Sequence, residues 1–159
     1  MKHELKNTLA PIPGASTPEP TNKVKAKQET GIKVALHNHP QTWPAEDVLA
    51  ATKNLSRNCG ACADTGHWLR AKKNPAENLK LLEGRIVSSH FKDLDEKKSD
   101  VVYGTGVADV KAMMKELKRQ DFKGLLSIEY EHGDLAHLDA TIPQCVAAFD
   151  KIAAEVAGK

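Results

Sequence analysis

The chain has 159 residues, of which 40% are hydrophobic and 28% are charged, and its formal net charge is +2. These values are ordinary for one soluble globular domain, and no basic stripe indicates binding to nucleic acid or to an anionic membrane. No apolar run approaches the roughly 20 residues that span a bilayer, and the first residues lack the apolar core of a signal peptide, so we expect a cytoplasmic protein.

The N-terminal region is rich in proline. Four prolines fall within residues 1–22, together with glycine, serine and threonine. Prolines at this density interrupt both helices and strand ladders. We therefore predict a flexible arm over residues 1–22, a short polar helix over residues 23–30, and one folded domain over residues 23–159.

Apolar segments alternate with amphipathic segments along the rest of the chain. The apolar segments predict strands at residues 32–37, 59–64, 85–90 and 125–129. Helices are predicted at residues 44–55, from Asn74 to Gly84, and at 107–119 and 139–157. A turn at Thr65 and Gly66, a basic loop after Trp68 and a long charged loop over residues 91–106 complete the pattern. The apolar sides of the helices are expected to include Leu55, Leu79, Leu82, Val107, Met113, Met114 and Val146.

This alternation predicts a parallel β-sheet covered by helices. The open doubly wound fold and the TIM barrel both fit the pattern. In both folds, ligands bind beyond the C-terminal ends of the strands.

The three cysteines are too few for a disulfide framework. Cys59 and Cys62 have the C-x-x-C spacing, but they fall in a strand, where residues three apart point to opposite faces. We interpret these two, and Cys145 on the apolar face of a helix, as small buried residues.

Each predicted strand ends in a residue that can bind a metal ion or carry a proton. These residues are His37, Asp64, His90 and Glu129. Two imidazoles and two carboxylates suit Mn²⁺, Zn²⁺, Co²⁺ or Fe²⁺ better than Ca²⁺. A metal held there would polarise adjacent substrate oxygens, and a nearby carboxylate would move a proton on the carbon between them.

Four further residues are weaker candidates for the same site. His39 shares a face with His37 and is an alternative to it, and His67 is expected to face a substrate or to support a ligand. Lys92 and Asp93 fit two interpretations equally, a solvated loop pair or a contact to a substrate phosphate or hydroxyl.

Five motifs in this order resemble the sugar phosphate isomerase/epimerase superfamily, the xylose isomerase-like TIM barrels. They are Ala35-Leu36-His37-Asn38-His39, Asp64-Thr65-Gly66-His67, His90-Phe91-Lys92-Asp93, Gly104-Thr105-Gly106 and Ser127-Ile128-Glu129-Tyr130-Glu131. The resemblance implies one divalent metal ion, often Mn²⁺, and a small sugar or sugar phosphate isomerised or epimerised through an enediolate. It also implies that Asp64, His90 and Glu129 are three of the four metal ligands and that Glu129 is one of two acid/base residues.

The chain departs from the family pattern in two ways. The first strand of this region ends in glutamate in the family but in His37 here, so the second acid/base position is taken by a histidine, and Glu46 is another residue that could reach the site. The motifs also correspond to only four of eight barrel strands. Because four strands cannot close a barrel, we expect a second half barrel as a partner, either in a homodimer or as a separate N-terminal half.

Two other functions fit the same motifs. One is a non-catalytic half-barrel assembly or binding module that keeps the fold without a full site. The other is an endonuclease IV-like phosphodiesterase, which would need more metal ligands and a surface for DNA; the small net charge disfavours it.

Overall fold

The computed structural model describes residues 31–39 and 44–158. The predicted N-terminal arm and the predicted helix at residues 23–30 lie outside the described residues. Within the described ranges the elements are, in chain order, β1 (Val34–His37), α1 (Ala45–Thr52), β2 (Cys59–Asp64), α2 (Thr65–Arg70), α3 (Pro75–Leu81), β3 (Ile86–Phe91), β4 (Asp93–Leu94), β5 (Asp100–Val101), α4 (Val110–Arg119), β6 (Leu125–Ile128) and α5 (Leu135–Ala157).

In the described part of the chain, four strands form one parallel sheet in the order β1-β2-β3-β6. Every strand lies beside the next long strand in sequence, so the order never reverses. A doubly wound sheet has such a reversal at its ligand-binding crevice, whereas a TIM barrel does not. The predicted class, parallel strands with flanking helices in a TIM-barrel-like arrangement, is confirmed, and the sheet remains open within residues 31–39 and 44–158.

One face of the sheet packs against the helices. The cluster of buried apolar residues joins strand residues such as Ala61, Ala63 and Phe91 to Val48, Leu79 and Met113 of the helices. Because side chains alternate along a strand, His37, Cys62, Asp64 and His90 lie on the opposite face. The sheet thus separates a helix-covered core from the face that carries the candidate ligands.

The helices begin at polar caps. Asn74 accepts hydrogen bonds from the amides of Ala76 and Glu77, and Pro75 occupies the first helical position of α3, as predicted. Asp109 and Asp134 cap α4 and α5 in the same way. No helix in the described ranges combines the length and the apolarity that crossing a bilayer requires.

Several predicted boundaries and burials were wrong. Helix α4 begins at Val110, so Val107 lies before it and is 53% exposed. Helix α5 begins four residues earlier than predicted, because Asp134 supplies the cap, and it continues through Pro143. Leu55 and Val146 are exposed, and the predicted charged loop contains the antiparallel pair β4 and β5. The burial of the three cysteines is confirmed.

Helix α2 is an element that the sequence did not predict. Its six residues start directly after Asp64, where Thr65 and Gly66 indicated only a turn. A Cβ atom on Gly66 would lie 2.6 Å from the Cβ of Lys92. Glycine is therefore present because the side chain of Lys92, directly after β3, packs against this position, a tertiary reason that local propensity does not reveal.

Leu79 offers a test of where the core lies. Leu79 is fully buried, whereas Leu135 at the start of α5 is 74% exposed. We expect Leu79→Ala to lower the free energy of unfolding by about 2–5 kcal/mol, because it removes buried methyl groups and leaves a cavity. The matched change Leu135→Ala should cost less than about 0.5 kcal/mol. Urea denaturation of both variants would measure the difference, and equal losses would contradict this placement of the core.

Candidate metal centre

The four predicted ligands meet at the C-terminal ends of the strands. His37 ends β1, Asp64 ends β2, His90 is the next-to-last residue of β3 and Glu129 directly follows β6. One ligand atom from each residue lies within 4.8 Å of the ligand atoms of the other three. The structure thus brings together two imidazoles and two carboxylates from four different strands.

The register between strands sets the height of each side chain. Asp64 pairs with His90, but His37 pairs with Cys62, and the pairing of β2 with β3 shifts at Ala61 and Cys62. The backbone of His37 therefore lies nearer the N-terminal ends of the strands than that of Asp64, and the His37 side chain extends toward the Asp64 carboxylate. Its Nε2 atom lies 3.3 Å from Asp64 Oδ2.

The two carboxylate oxygens of the buried Asp64 have different roles. Oδ1 accepts a hydrogen bond of 2.8 Å from the amide of His67 and so caps α2. Oδ2 faces the site, 3.3 Å from His37 Nε2 and 3.7 Å from His90 Nδ1. The cap fixes the carboxylate orientation, which leaves one oxygen directed at the imidazoles.

His90 and Glu129 converge in a way that fits a bound cation. His90 Nδ1 lies 2.5 Å from Glu129 Oε2. Both atoms are buried, yet neither has a hydrogen-bond partner with suitable geometry among the described residues. Buried polar atoms without partners are costly, and two ligand atoms directed at one point are what a divalent metal would satisfy. The residues present therefore fit the metal that the sequence predicted.

Lys92 lies beside the same carboxylates and is fully buried. Its Nζ atom is 3.1 Å from Glu129 Oε1 and 3.9 Å from Asp64 Oδ2, and it also contacts Glu131 Oε2. Burial alone would lower the pKa of Lys92, but the hydrogen bond to Glu131 and the charge of Asp64 outweigh it and raise that pKa. Lys92 is therefore an ammonium ion at neutral pH.

His67 and His39 line one side of this group. His67 Nε2 is 3.8 Å from Asp64 Oδ2, and its ring centre is 4.8 Å from that of the exposed His39. Burial lowers the pKa of His67, with the positive charge of Lys92 acting in the same direction and Asp64 acting against it. The structure thus places His67 next to the candidate ligands and His39 at their margin.

Asp93 and Glu46 do not join this group. Asp93 is buried, and its carboxylate accepts hydrogen bonds from the amides of Leu94, Gly104, Gly106 and Ala108. Asp93 thereby holds the loop that precedes α4. Because Lys92 and Asp93 are both buried, the interpretation of these two residues as a solvated loop pair is wrong. Glu46 is exposed on the first turn of α1, outside the ligand group found in the described residues.

Sequence reasoning missed three residues that organise the site. Asn38 donates to the carbonyl of Asp64 and accepts from its amide, at 2.9 and 2.6 Å. The Thr65 hydroxyl accepts from the amide of Lys92 and donates to its carbonyl, both at 2.9 Å. Glu131 contacts Lys92. All three lie within the quoted motifs, but their roles depend on partners 26 to 39 residues away.

Asn38 should therefore be needed for stability. Asn38→Ala leaves the buried amide and carbonyl of Asp64 without these partners, and we expect a loss of about 1–3 kcal/mol in the free energy of unfolding. The exposed Asn54 provides a matched control, because Asn54→Ala removes the same side chain in solvent. Thermal or urea unfolding would measure both variants. An Asn38→Ala protein as stable as the control would show that the paired bonds contribute nothing.

Comparisons with known proteins identify the family of this fold. The profile of the family described as "Xylose isomerase-like TIM barrel" matches residues 21–152. The chain is similar to the crystal structure of an uncharacterised protein from Parabacteroides distasonis ATCC 8503, with 42% identity, a TM-score of 0.55, and coverage of 80% of this chain and 52% of that one. No curated protein matches the chain at a significant level.

Two further solved structures share the fold at lower identity. A D-tagatose 3-epimerase-like protein is 24% identical with a TM-score of 0.59, covering 80% of this chain and 52% of that one. The IOLI protein, solved with a bound zinc atom, is 19% identical with a TM-score of 0.66, covering 83% of this chain and 52% of that one. The chain thus spans about half the length of the solved structures it matches. By the extent of the profile match, the chain belongs to the xylose isomerase-like TIM barrel family.

Proposed function

We propose that His37, Asp64, His90 and Glu129 bind one divalent metal ion. The observation that carries this proposal is the convergence of the four ligand atoms, two of which, His90 Nδ1 and Glu129 Oε2, are buried and have no hydrogen-bond partner of suitable geometry among the described residues. Two nitrogens and two oxygens suit Mn²⁺, Zn²⁺, Co²⁺ or Fe²⁺. Family resemblance favours Mn²⁺, and the zinc reported in the IOLI structure supports a metal in this fold.

We further propose that the chain contributes to the isomerisation or epimerisation of a small sugar or sugar phosphate. The bound metal would supply polarisation of two adjacent substrate oxygens. Glu129 would take a proton from the carbon next to the carbonyl, which gives an enediolate, and the proton would return to the same or the neighbouring carbon. The similarity to a D-tagatose 3-epimerase-like protein supports this substrate class.

The surrounding residues have roles consistent with that reaction. His37 stands where the family has its second acid/base glutamate and is 3.3 Å from Asp64, so it can be the second proton carrier as well as a ligand. The buried Lys92 ammonium lies 3.1 Å from Glu129 and can donate to a developing negative oxygen. His39 and His67 would contact the sugar hydroxyls from one side.

Proton exchange with solvent tests the chemistry across a whole class of sugars at once. The protein would be loaded with Mn²⁺ and incubated with a panel of ketohexoses and their phosphates in deuterium oxide. We expect NMR to show deuterium on the carbon next to the carbonyl of at least one sugar. A metal-loaded protein that exchanges no proton on any sugar would contradict the isomerase proposal and leave the metal proposal standing.

The alternative is a non-catalytic half-barrel module, and the open sheet of four parallel strands among the described residues is consistent with it. Elemental analysis of the purified protein distinguishes the two. One Mn or Zn per chain, lost in His90→Ala, supports the enzyme, whereas a folded protein without metal supports the module. Three zinc ions per chain would instead favour the endonuclease IV-like phosphodiesterase.

We also propose that a second half barrel completes the site-bearing face, either a second copy of this chain or a separate N-terminal half. No described strand pairs with the outer edge of β1 or β6, and Leu125 on β6 is 67% exposed. Unpaired edges and uncovered apolar residues favour association. Light scattering and small-angle X-ray scattering should show a dimer for the chain alone or a complex with the separate half. A compact, stable monomer that binds neither would contradict both versions.

A further inference from the structure

A second group of ligand atoms lies directly below the proposed metal centre. His37, Cys62 and His90 each offer one atom, and these three atoms lie within 4.8 Å of one another. Cys62 precedes Asp64 by two residues on β2, so both side chains point to the same face of the sheet, about 7 Å apart along the strand. His37 and His90 belong to both groups.

The register explains why the thiol reaches both imidazoles. Cys62 is the direct cross-strand neighbour of His37 on β1. On the other side it pairs with Ser88, which precedes His90 by two residues on the same face of β3. The cysteine therefore lies between the two histidine-bearing strands.

Cys62 also differs from an ordinary core cysteine. Cys145 is 1% exposed and belongs to the cluster of buried apolar residues, as expected for a packing role. Cys62 is 8% exposed and is absent from that cluster among the described residues. Its thiol is buried on the face that carries imidazoles and carboxylates, so burial in an apolar core does not explain its position.

We propose that His37, Cys62 and His90 form an alternative ligand set for thiophilic divalent ions such as Co²⁺, Zn²⁺ or Cd²⁺. Thiolate and imidazole ligands favour these ions, whereas carboxylates suit Mn²⁺. On binding, the thiol releases its proton to solvent and the thiolate donates an electron pair to the ion. A hard ion is then bound by the four residues of the proposed metal centre, whereas a softer ion is bound closer to Cys62, by the thiolate and the two imidazoles. This set of His37, Cys62 and His90, called the thiol set, shares two residues with the proposed metal centre, but the proposal does not depend on any reaction of a sugar.

Titration with Co²⁺ tests the proposal, because a cobalt–thiolate bond gives a charge-transfer absorption in the near ultraviolet that nitrogen and oxygen ligands do not give. We expect this band in the unmodified protein, its loss in Cys62→Ser, and its retention in the control Cys145→Ser. Calorimetry should show that Cys62→Ser lowers Cd²⁺ affinity at least about tenfold while Mn²⁺ affinity changes less than about threefold.

The results separate the thiol set from the proposed metal centre. Bound Co²⁺ without the charge-transfer band would overturn the role of Cys62 and leave the proposed metal centre in place. A band that persists in Cys62→Ser would also overturn it, because another cysteine would then be the ligand. Failure to bind Co²⁺, Cd²⁺ or Mn²⁺ would overturn both proposals. Circular dichroism of Cys62→Ser would confirm that the variant is folded.

Discussion

Asp64→Asn should lower the affinity for Mn²⁺ at least about 100-fold, as measured by calorimetry. The substitution keeps an oxygen that can accept the amide of His67 and cap α2, but it removes the negative charge. That charge faces His37 and His90 at 3.3 and 3.7 Å, inside the group of four ligand atoms. Since Asp64 is fully buried, its replacement would leave a neutral amide facing the proposed metal in place of a carboxylate.

Asp109→Asn is the matched control. Asp109 also caps a helix by accepting the amide three residues later, that of Ala112, but it is exposed at the start of α4 and is not one of the four ligands. We expect this variant to bind Mn²⁺ like the unmodified protein. If Asp64→Asn retained Mn²⁺ affinity within a few-fold, Asp64 would serve only as a helix cap, and the proposal that it is one of four metal ligands would be wrong.

Lys92→Met should lower the rate of proton exchange on a responsive sugar about 100-fold without weakening Mn²⁺ binding. Methionine keeps much of the apolar stem that packs against Gly66, but it removes the ammonium that lies 3.1 Å from Glu129. A developing negative oxygen then loses a donor. Metal binding should be unchanged or stronger, because a positive charge next to the carboxylates is gone.

A lower exchange rate with unchanged Mn²⁺ affinity would distinguish a role toward substrate from a role in the fold. A residue that only supports the fold would lower metal affinity, stability and exchange rate together. Lys111→Met provides the control, because Lys111 forms an ion pair with Glu155 on the surface, at 2.5 Å, away from the site. An unchanged exchange rate in Lys92→Met would contradict the proposed role of Lys92 toward substrate.

Much of the site followed from the sequence because its signals are local. Each candidate ligand comes at or next to the end of a short apolar segment, and parallel strands bring such ends to one edge of a sheet. This rule selects His37, Asp64, His90 and Glu129, which the structure brings together. The sequence also predicted β2 with its observed bounds, because small apolar residues continue up to Asp64 without a break.

The sequence failed where a residue has two roles or a distant partner. The strand-end pattern indicates Asp64 only as a ligand, so it does not predict that Asp64 caps α2 or that this helix forms. Lys92 and Asp93 looked like a solvated pair or a substrate contact. In the structure, one is a buried ammonium beside Glu129 and the other holds a loop through four backbone amides.

The sequence by itself determined the four strands of the parallel sheet, the longer helices that cover it and the four candidate ligands at the strand ends, because periodicity, caps and side-chain chemistry are encoded within a few neighbouring residues. Only the tertiary structure decided that His37 lies level with Cys62, that Asn38 pairs with Asp64 and that Lys92 lies among carboxylates. Each of these depends on strand register or on contacts between residues far apart in sequence. The hydrophobic pattern fixes which side chains share a face, but which residues of two neighbouring strands lie side by side depends on how the whole strands pack together.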